Sequence, residues 1–427
     1  MKLQEYKKVH CIGIGGIGLS ALARYCKATG AEVSGSDGAE SRITEDLKNE
    51  DITVYKGHSA SNVTEGVTLV IYSIAVKEEN PELATARRRG VVCMSYPEAL
   101  GLLTEDYITI AVCGTHGKTT TTAMLASMFA ACGVHPTVIV GSLLSESGSN
   151  FIMGDSKYLI VEACEYKRSF LKLHPTHVLV TNIDEDHLDY YKDIADIKTA
   201  FQSFVDLVPA EGSLITHGNV TLKTWARSIN ADTILEHTID LTVLGHHNKT
   251  NAQLALALAI DLGLPEEKAR LGLKQFTGTW RRLEYKGVWK DIALYDDYGH
   301  HPAEILATLE ALRERYPYGE YTVYALFQPH LFSRTKQHLD AFSESFVNAD
   351  KVFVMPIYAS REVDDGTISS HDLVEKMHHA VYVESYEEVQ KYVLNRPHRK
   401  CVLLTIGAGD VYRFHESLDG ITYEKNI

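Results

Sequence analysis

Short runs of apolar, largely β-branched residues recur along the chain at 9–14, 32–35, 68–72, 91–94, 108–113, 138–140, 158–163 and 177–181, and again at 292–295, 322–327, 351–355 and 401–406. Stretches with a helical pattern separate them, most clearly at 19–27 and 119–131. Most of the runs lie roughly 20–30 residues apart, the length a strand–helix–strand crossover needs. The pattern therefore predicts an α/β fold of mainly parallel sheets covered by helices. At roughly 150 residues per domain the chain has room for about three domains. Breaks in the pattern fall near 104–107 and near 285–287, giving expected domains at 1–106, 107–286 and 287–427. No internal repeat or low-complexity tract interrupts this alternation.

Composition narrows the function. The formal net charge is −14, which argues against a nucleic-acid partner, because phosphate backbones select Lys/Arg-rich surfaces. No apolar run approaches the ~20 residues of a membrane span. The first residues, with a basic start and an apolar middle, mimic a secretory leader, but their glycine spacing fits a strand–loop–helix better. The cysteines number seven, and Cys11, Cys113 and Cys401 lie in apolar runs. This suits free thiols in a reducing cytoplasm rather than a disulfide framework.

Two glycine loops carry the candidate chemistry. Gly13-Ile14-Gly15-Gly16-Ile17-Gly18 follows a strand and precedes a helix, and Asp37 follows the next strand. This is the pattern of a diphosphate cradle, in which glycines let backbone N–H groups approach the phosphates. A plain turn, a nicotinamide cofactor and another nucleotide diphosphate all fit, and the third fits best. The second loop, GTHGKTTTTAML at 114–125, ends in Gly117-Lys118-Thr119. The usual phosphate loop needs a glycine at 112, where Val112 stands. Gly114 and Gly117 still aim backbone N–H groups at phosphate, Lys118 reaches the outer phosphates, and Thr119 supplies a hydroxyl to Mg²⁺. Downstream, Glu162 and Glu165 close one strand, and an acidic cluster with His187 closes another, where a second cation could be held. His247, Asn248 and Asn251 begin an apolar helix, where capping is the competing reading. Arg281 and Arg282 sit at a domain joint. Asp296, Asp297, Tyr298, His300 and His301 follow one strand, and His330, Ser333 and Arg334 follow another. Zinc is disfavoured for the paired histidines, since no Cys or His lies at ligand spacing.

The strings CIGIGGIGLSALA, GSDGAES, NPEL, AVCGTHGKTTTTAML, VEACEYKRSFL, TNIDEDHLDYY, HNKTNA, RRLEY, DDYGHHPAEI, FQPHLFSRT and GAGD, in this order across residues 11–410, resemble the Mur ligase family. The resemblance implies an N-terminal Rossmann-like domain for a UDP-sugar, a central ATPase domain, and a C-terminal Rossmann-like domain that closes on ATP and amino acid. It implies that the shorter loop is normal, that Gly15, Gly16, Ile17 and Gly18 hold the diphosphate, and that Asp37 lies near the uridine. Ser73 and His58 would lie near the sugar-nucleotide, and His116 would face the substrate. Gly114, Thr115, Gly117, Lys118, Thr119 and Thr120 would hold ATP and the first Mg²⁺, and Glu162 and His187 the second. Asn248 and Asn251 would face adenine, Arg282 the γ-phosphate and Asp297 the ribose. His300 and Arg334 would lie near the amino acid and the leaving phosphate. Sister enzymes that add later residues carry a modified lysine where this chain has Phe201 or Gln202, so the resemblance points to the alanine-adding branch. The implied reaction is the ATP-driven joining of L-alanine to UDP-N-acetylmuramate. A ligase that attaches a preformed tripeptide to the same sugar nucleotide, and a nicotinamide-dependent oxidoreductase, stand as alternatives.

Overall fold

The computed structural model describes residues 1–144, 147–188, 190–360, 362–395 and 400–423. Its strands build three sheets, as the alternation of apolar runs and helices predicts. The first has five parallel strands in the spatial order Thr53–Lys56, Glu32–Asp37, Lys8–Ile12, Leu69–Tyr72, Val92–Ser95. Strand order reverses around Lys8–Ile12, so a crevice opens beyond the carboxyl ends of this strand and Leu69–Tyr72. The second sheet has seven strands, in the order Arg227–Asn230, Ser213–Thr216, His177–Val180, Ile108–Cys113, Tyr158–Glu162, Thr137–Ile139, Phe151–Ile152. All are parallel except the last, an antiparallel edge. The third has six, in the order Glu284–Trp289, Ile292–Asp297, Lys400–Ile406, Tyr321–Phe327, Lys351–Val354, Ala380–Tyr382, with only the first antiparallel.

The chain divides into two compact units. One takes residues 1–241 and 250–277, with the first two sheets; the other takes 242–249 and 278–427, with the third. In the first unit an apolar core runs from Val9, Cys11, Leu22 and Tyr25 to Ala111, Val161, Val178 and Phe204, and a smaller one gathers Ile12, Val70 and Leu83 on the other face of the first sheet. Phe201 belongs to the larger core: it is wholly buried, with its ring 5.4 Å edge-on from Phe170. A polar junction accompanies this core. Asn150 is fully buried; its amide donates to Ile17 O and to Ser20 Oγ (2.8 Å), and its carbonyl accepts from Arg24. Arg24 also forks onto Glu50 at 2.7–3.0 Å. The second unit buries both faces of its sheet, with Ile305, Phe327, Phe346 and Val402 on one and Trp289, Leu326, Phe353 and Phe414 on the other. All seven cysteines are free thiols. Among the described residues, no helix is long and apolar enough to cross a membrane.

Candidate active site

The first loop joins Lys8–Ile12 to the helix Ile17–Ala28. Asp37, at the end of the neighbouring strand, accepts from Gly15 N at 2.9 Å and so shapes the turn. Above it lies a cleft of about 570 Å³ whose lining includes Gly13, Gly16, Asp37, His58, Ser73 and Lys77. Of the expected substrate residues, Gly16, Asp37, His58 and Ser73 thus share one cleft at the point where strand order reverses. Gly15, Ile17 and Gly18 belong to the same loop and helix start. His58 Nδ1 lies 2.9 Å from Ser36 Oγ and 3.2 Å from Glu82 Oε2. His116 lies in the second loop.

That second loop leaves the strand Ile108–Cys113 and enters the helix Lys118–Ala131. Glycine is required twice. At Gly114, with φ +138°, an added Cβ would stand 1.9 Å from Thr181 Oγ1; at Gly117, with φ +83°, it would stand 2.5 Å from Asn251 Oδ1. The second close approach brings Asn251 against the phosphate loop. The loop is also tied to the 181–184 segment: His116 N donates to Asn182 Oδ1 at 2.9 Å, Thr115 N to Asn182 O at 3.1 Å, and Asp184 N to Thr115 Oγ1 at 2.9 Å. The standard loop length is therefore unnecessary here, because a neighbouring strand end supplies the missing support.

Lys118 Nζ donates to Gly114 O (2.6 Å), Thr115 O (3.0 Å) and Glu165 Oε1 (2.9 Å). Burial alone would pull its ammonium down, but Glu165, with Cys164 and Glu162, outweighs this and holds it above the ordinary lysine value of 10.5. Lys118 is therefore a fixed cation at neutral pH. Glu165 is itself buried, and its backbone carbonyl accepts from Tyr191 Oη. Thr119 Oγ1 donates to Glu162 Oε2 at 2.9 Å, and Gly141 N donates to the same oxygen at 2.8 Å. His187 Nε2 stands 3.8 Å from Glu165 Oε1 and 3.8 Å from Asp186 Oδ2. Lys167, Arg168 and His187 all hold left-handed backbone (φ +51°, +56° and +55°), a strained conformation for such residues that concentrates at working sites. Glu165, named in the sequence only as part of an acidic strand end, is the partner of the loop lysine. Its signal was its place three residues after Glu162 at a strand terminus.

A hydroxyl and a carboxylate oxygen side by side at a strand end suit a hard cation that also takes phosphate oxygens. Among the described residues, no group of three or more His, Cys, Asp or Glu is arranged to hold a metal. Mg²⁺ on a nucleotide needs no such group, so Thr119 and Glu162 fit it.

In the second unit, Arg281 and Arg282 part company. Arg281 is 2% exposed, pairs with Asp296 at 2.8 Å and donates to Gly407 O and Gly409 O (2.9 Å), so it braces the sheet ends. Arg282 is partly exposed and lies 5.4 Å over the Tyr298 ring. Asp297 accepts from Leu283 N and Gly299 N, each at 2.6 Å. Burial lifts its carboxyl to about 6, with Arg282 and the two N–H groups acting against the rise. Asn248 Nδ2 donates to Leu244 O at 2.6 Å. Beyond the ends of two neighbouring segments, the His300 and His330 rings lie 6.1 Å apart, and Arg334 Nη1 is 3.3 Å from His330 Nδ1. His300, His330 and Arg334 thus form one cluster, and Tyr358 stacks on His330 at 5.8 Å. Leu331, between them, is buried and has φ +69°.

Three family models match the chain: "Mur ligase family, catalytic domain" over residues 8–108, "Mur ligase middle domain" over 112–235, and "Mur ligase, glutamate ligase domain" over 281–409. The UDP-N-acetylmuramate–L-alanine ligase of Acetivibrio thermocellus is 40% identical, covering 96% of this chain and 95% of that protein. The enzyme of the same name from Clostridium acetobutylicum is 39% identical, covering 96% and 97%. Among solved structures, the UDP-N-acetylmuramate-alanine ligase of Thermotoga maritima superposes with a TM-score of 0.78 at 27% identity, covering 96% of this chain and 97% of that one. A murein peptide ligase from Psychrobacter arcticus gives 0.71 at 22% identity, covering 96% and 97%, a likeness of fold.

Proposed function

The chain belongs to the Mur ligase family, and from that premise we propose that it joins L-alanine to the lactyl carboxylate of UDP-N-acetylmuramate, using ATP, in the synthesis of peptidoglycan precursor. The observation that carries the reading is the presence, in one compact unit, of two anion cradles at the carboxyl ends of two parallel sheets. One is an open cleft beside Gly13–Gly18, and the other is a loop whose lysine is already charged and largely enclosed beside a metal-ready Thr119–Glu162 pair. The names of the relatives, at 40% and 39% identity over 96% of the chain, select alanine over a tripeptide. A nicotinamide oxidoreductase would leave the second cradle without a task.

A carboxylate is a poor electrophile, so it must first be activated. Attack of the lactyl carboxylate on the γ-phosphorus transfers the phosphoryl group, giving an acyl phosphate and ADP. The alanine amine then attacks the acyl carbon, loses a proton, and phosphate leaves as the amide forms. Lys118 exchanges its contact with Glu165 for phosphate oxygen, with Gly114, Thr115, Gly117 and Thr120 lining the same loop. Mg²⁺ held by Thr119 and Glu162 would offset charge on the transferring group, and His187 would assist at a second ion. Asn248 and Asn251 serve adenine, Asp297 the ribose and Arg282 the γ-phosphate. His116 faces the substrate. His300 takes the amine proton, since its ring lies in a polar cluster free of the proposed metal ligands, and Arg334 attends the amino acid or the leaving phosphate. Gly15, Gly16, Ile17, Gly18, Asp37, His58 and Ser73 hold the UDP-sugar. We assign the three functions to residues 1–106, 107–286 and 287–427, noting that the first strand of the last sheet begins at Glu284. A cytoplasmic location follows from the proposed substrates.

Lys118→Ala tests this. Phosphate release in a coupled assay should fall by about three orders of magnitude, while UDP-N-acetylmuramate binds as in the wild type. Turnover within twofold of wild type would refute the role of the loop.

A further inference from the structure

Beneath the first cleft lies a carboxylate that the proposed chemistry does not use. Glu82 sits in the first turn of the helix Pro81–Arg88, where Asn80 caps the helix by accepting from Glu82 N and Leu83 N. An acidic residue at that place normally faces solvent. Here its side chain is wholly buried and turned towards the sheet.

Both of its oxygens are saturated. Oε1 accepts from Asn62 Nδ2 at 2.5 Å and from Ser59 N at 3.3 Å, and His10 Nε2 stands 3.8 Å away. Oε2 accepts from Ser36 Oγ at 2.5 Å and faces His58 Nδ1 at 3.2 Å. Of these partners His58 lines the cleft, and others adjoin its lining residues in the chain. Ser36 precedes Asp37, Ser59 follows His58, and Asn62 Nδ2 also reaches Gly57 O at 3.2 Å. Burial raises the carboxyl, yet the nearby His10 ring and the hydrogen bonds from Ser36 and Asn62 outweigh it and hold the group at about 2, so Glu82 is a permanent anion.

This arrangement fixes a proton. The Ser36 hydroxyl donates its one hydrogen to Glu82. His58 Nδ1 lies 2.9 Å from Ser36 Oγ and 3.2 Å from Glu82 Oε2, both of which offer it only lone pairs. Nδ1 must therefore carry hydrogen. In the neutral ring Nε2 is then an acceptor, and His58 lines the cleft with 30% of its side chain exposed. We propose that Glu82 is a positioning residue for sugar-nucleotide recognition: it locks His58 in the Nδ1–H form, so that the cleft offers Nε2 as an acceptor to a hydroxyl or imide N–H of the UDP-sugar. The inference rests on the reading of this cleft as the UDP-sugar site.

Titration calorimetry with UDP-N-acetylmuramate, and kinetics with ATP and L-alanine, test it. Glu82→Gln keeps the shape but replaces one carboxylate oxygen by an N–H₂ that must meet a donor, so the set of acceptors that fixes the Nδ1 hydrogen is broken. The UDP-sugar Kd and KM should rise at least about tenfold, the loss of one to two positioned hydrogen bonds, while kcat and the KM for ATP stay within twofold. In a His58→Ala background the same substitution should change Kd by less than about twofold, because its effect travels through that ring. Ser36→Ala, which leaves Glu82 charged, gives a milder second reading and should raise KM alone. A Kd unchanged by Glu82→Gln, or full additivity with His58→Ala, overturns the proposal while leaving the cleft assignment intact. A wild-type protein that does not bind UDP-N-acetylmuramate overturns the assignment itself.

Discussion

Lys118 and Asp297 show how one residue's surroundings decide its charge. Lys118 is held cationic by Glu165, whereas Asp297, buried with two backbone donors, has its carboxyl lifted from the ordinary 3.8 to about 6. A carboxyl raised in the folded state contributes stability that is complete below about pH 4 and is lost as pH climbs through 6. Relative to Asp297→Asn, the unliganded wild type should therefore lose of order 2–3 kcal/mol between pH 4 and 7, read by urea melts at each pH. A difference that is flat, or that grows with pH, contradicts the burial argument. Glu162 makes a separate claim. It is paired with Thr119, so Glu162→Ala should raise the Mg²⁺ concentration for half-maximal turnover about tenfold or more, and an unaltered magnesium titration would remove it from the metal site. Lys118, Thr119 and Glu162 were legible in the sequence because glycine spacing and strand ends betray them. Glu82 was not: in NPEL it reads as an ordinary first-turn acid, and only the packing of its helix turns it inward.

Elements were legible where burial on both faces leaves a continuous apolar run. Ile108–Cys113 and His177–Val180 are such strands, almost wholly buried. The strands Thr53–Lys56, Phe151–Ile152, Arg227–Asn230 and Ala380–Tyr382 escaped notice because they lie at sheet edges, where one side faces solvent and polar residues are tolerated. Ser213–Thr216 and Glu284–Trp289 escaped too: the first carries only two apolar residues between Ser213 and Thr216, and the second is broken by Gly287 and a bulge. The junction between the first two sheets was invisible, since it depends on Asn150, a lone amide in a polar loop. Its side chain satisfies Ile17 O and Ser20 while accepting from Arg24. Asn150→Ala removes three buried hydrogen bonds, one of them to a charged guanidinium, although Ser20 Oγ still donates to Ile17 O and Arg24 still holds Glu50, and should cost about 2 kcal/mol in urea unfolding. A change below about 0.5 kcal/mol would show that the apolar core alone joins the sheets.

At the scale of the whole molecule, an acidic protein of net charge −14 is asked to gather two anionic nucleotides. On the proposed function it does so with local devices rather than with its overall field: helix starts, glycine-freed N–H groups and the loop lysine Lys118. The net charge argues against a nucleic-acid partner, and the order of motifs along the chain exposed the family. What the chain order could not convey is which side chains meet, such as Lys118 with Glu165 or His58 with Glu82. The central claim is that the two cradles serve one reaction, with the acid held in the first and the phosphoryl donor in the second. Mass spectrometry of the product formed from UDP-N-acetylmuramate, ATP, Mg²⁺ and L-alanine tests it most directly. The account predicts UDP-N-acetylmuramoyl-L-alanine with one phosphate and one ADP released per product, and no comparable product when a tripeptide replaces alanine. Phosphate released without an alanine adduct, or a tripeptide adduct formed in preference, would contradict it.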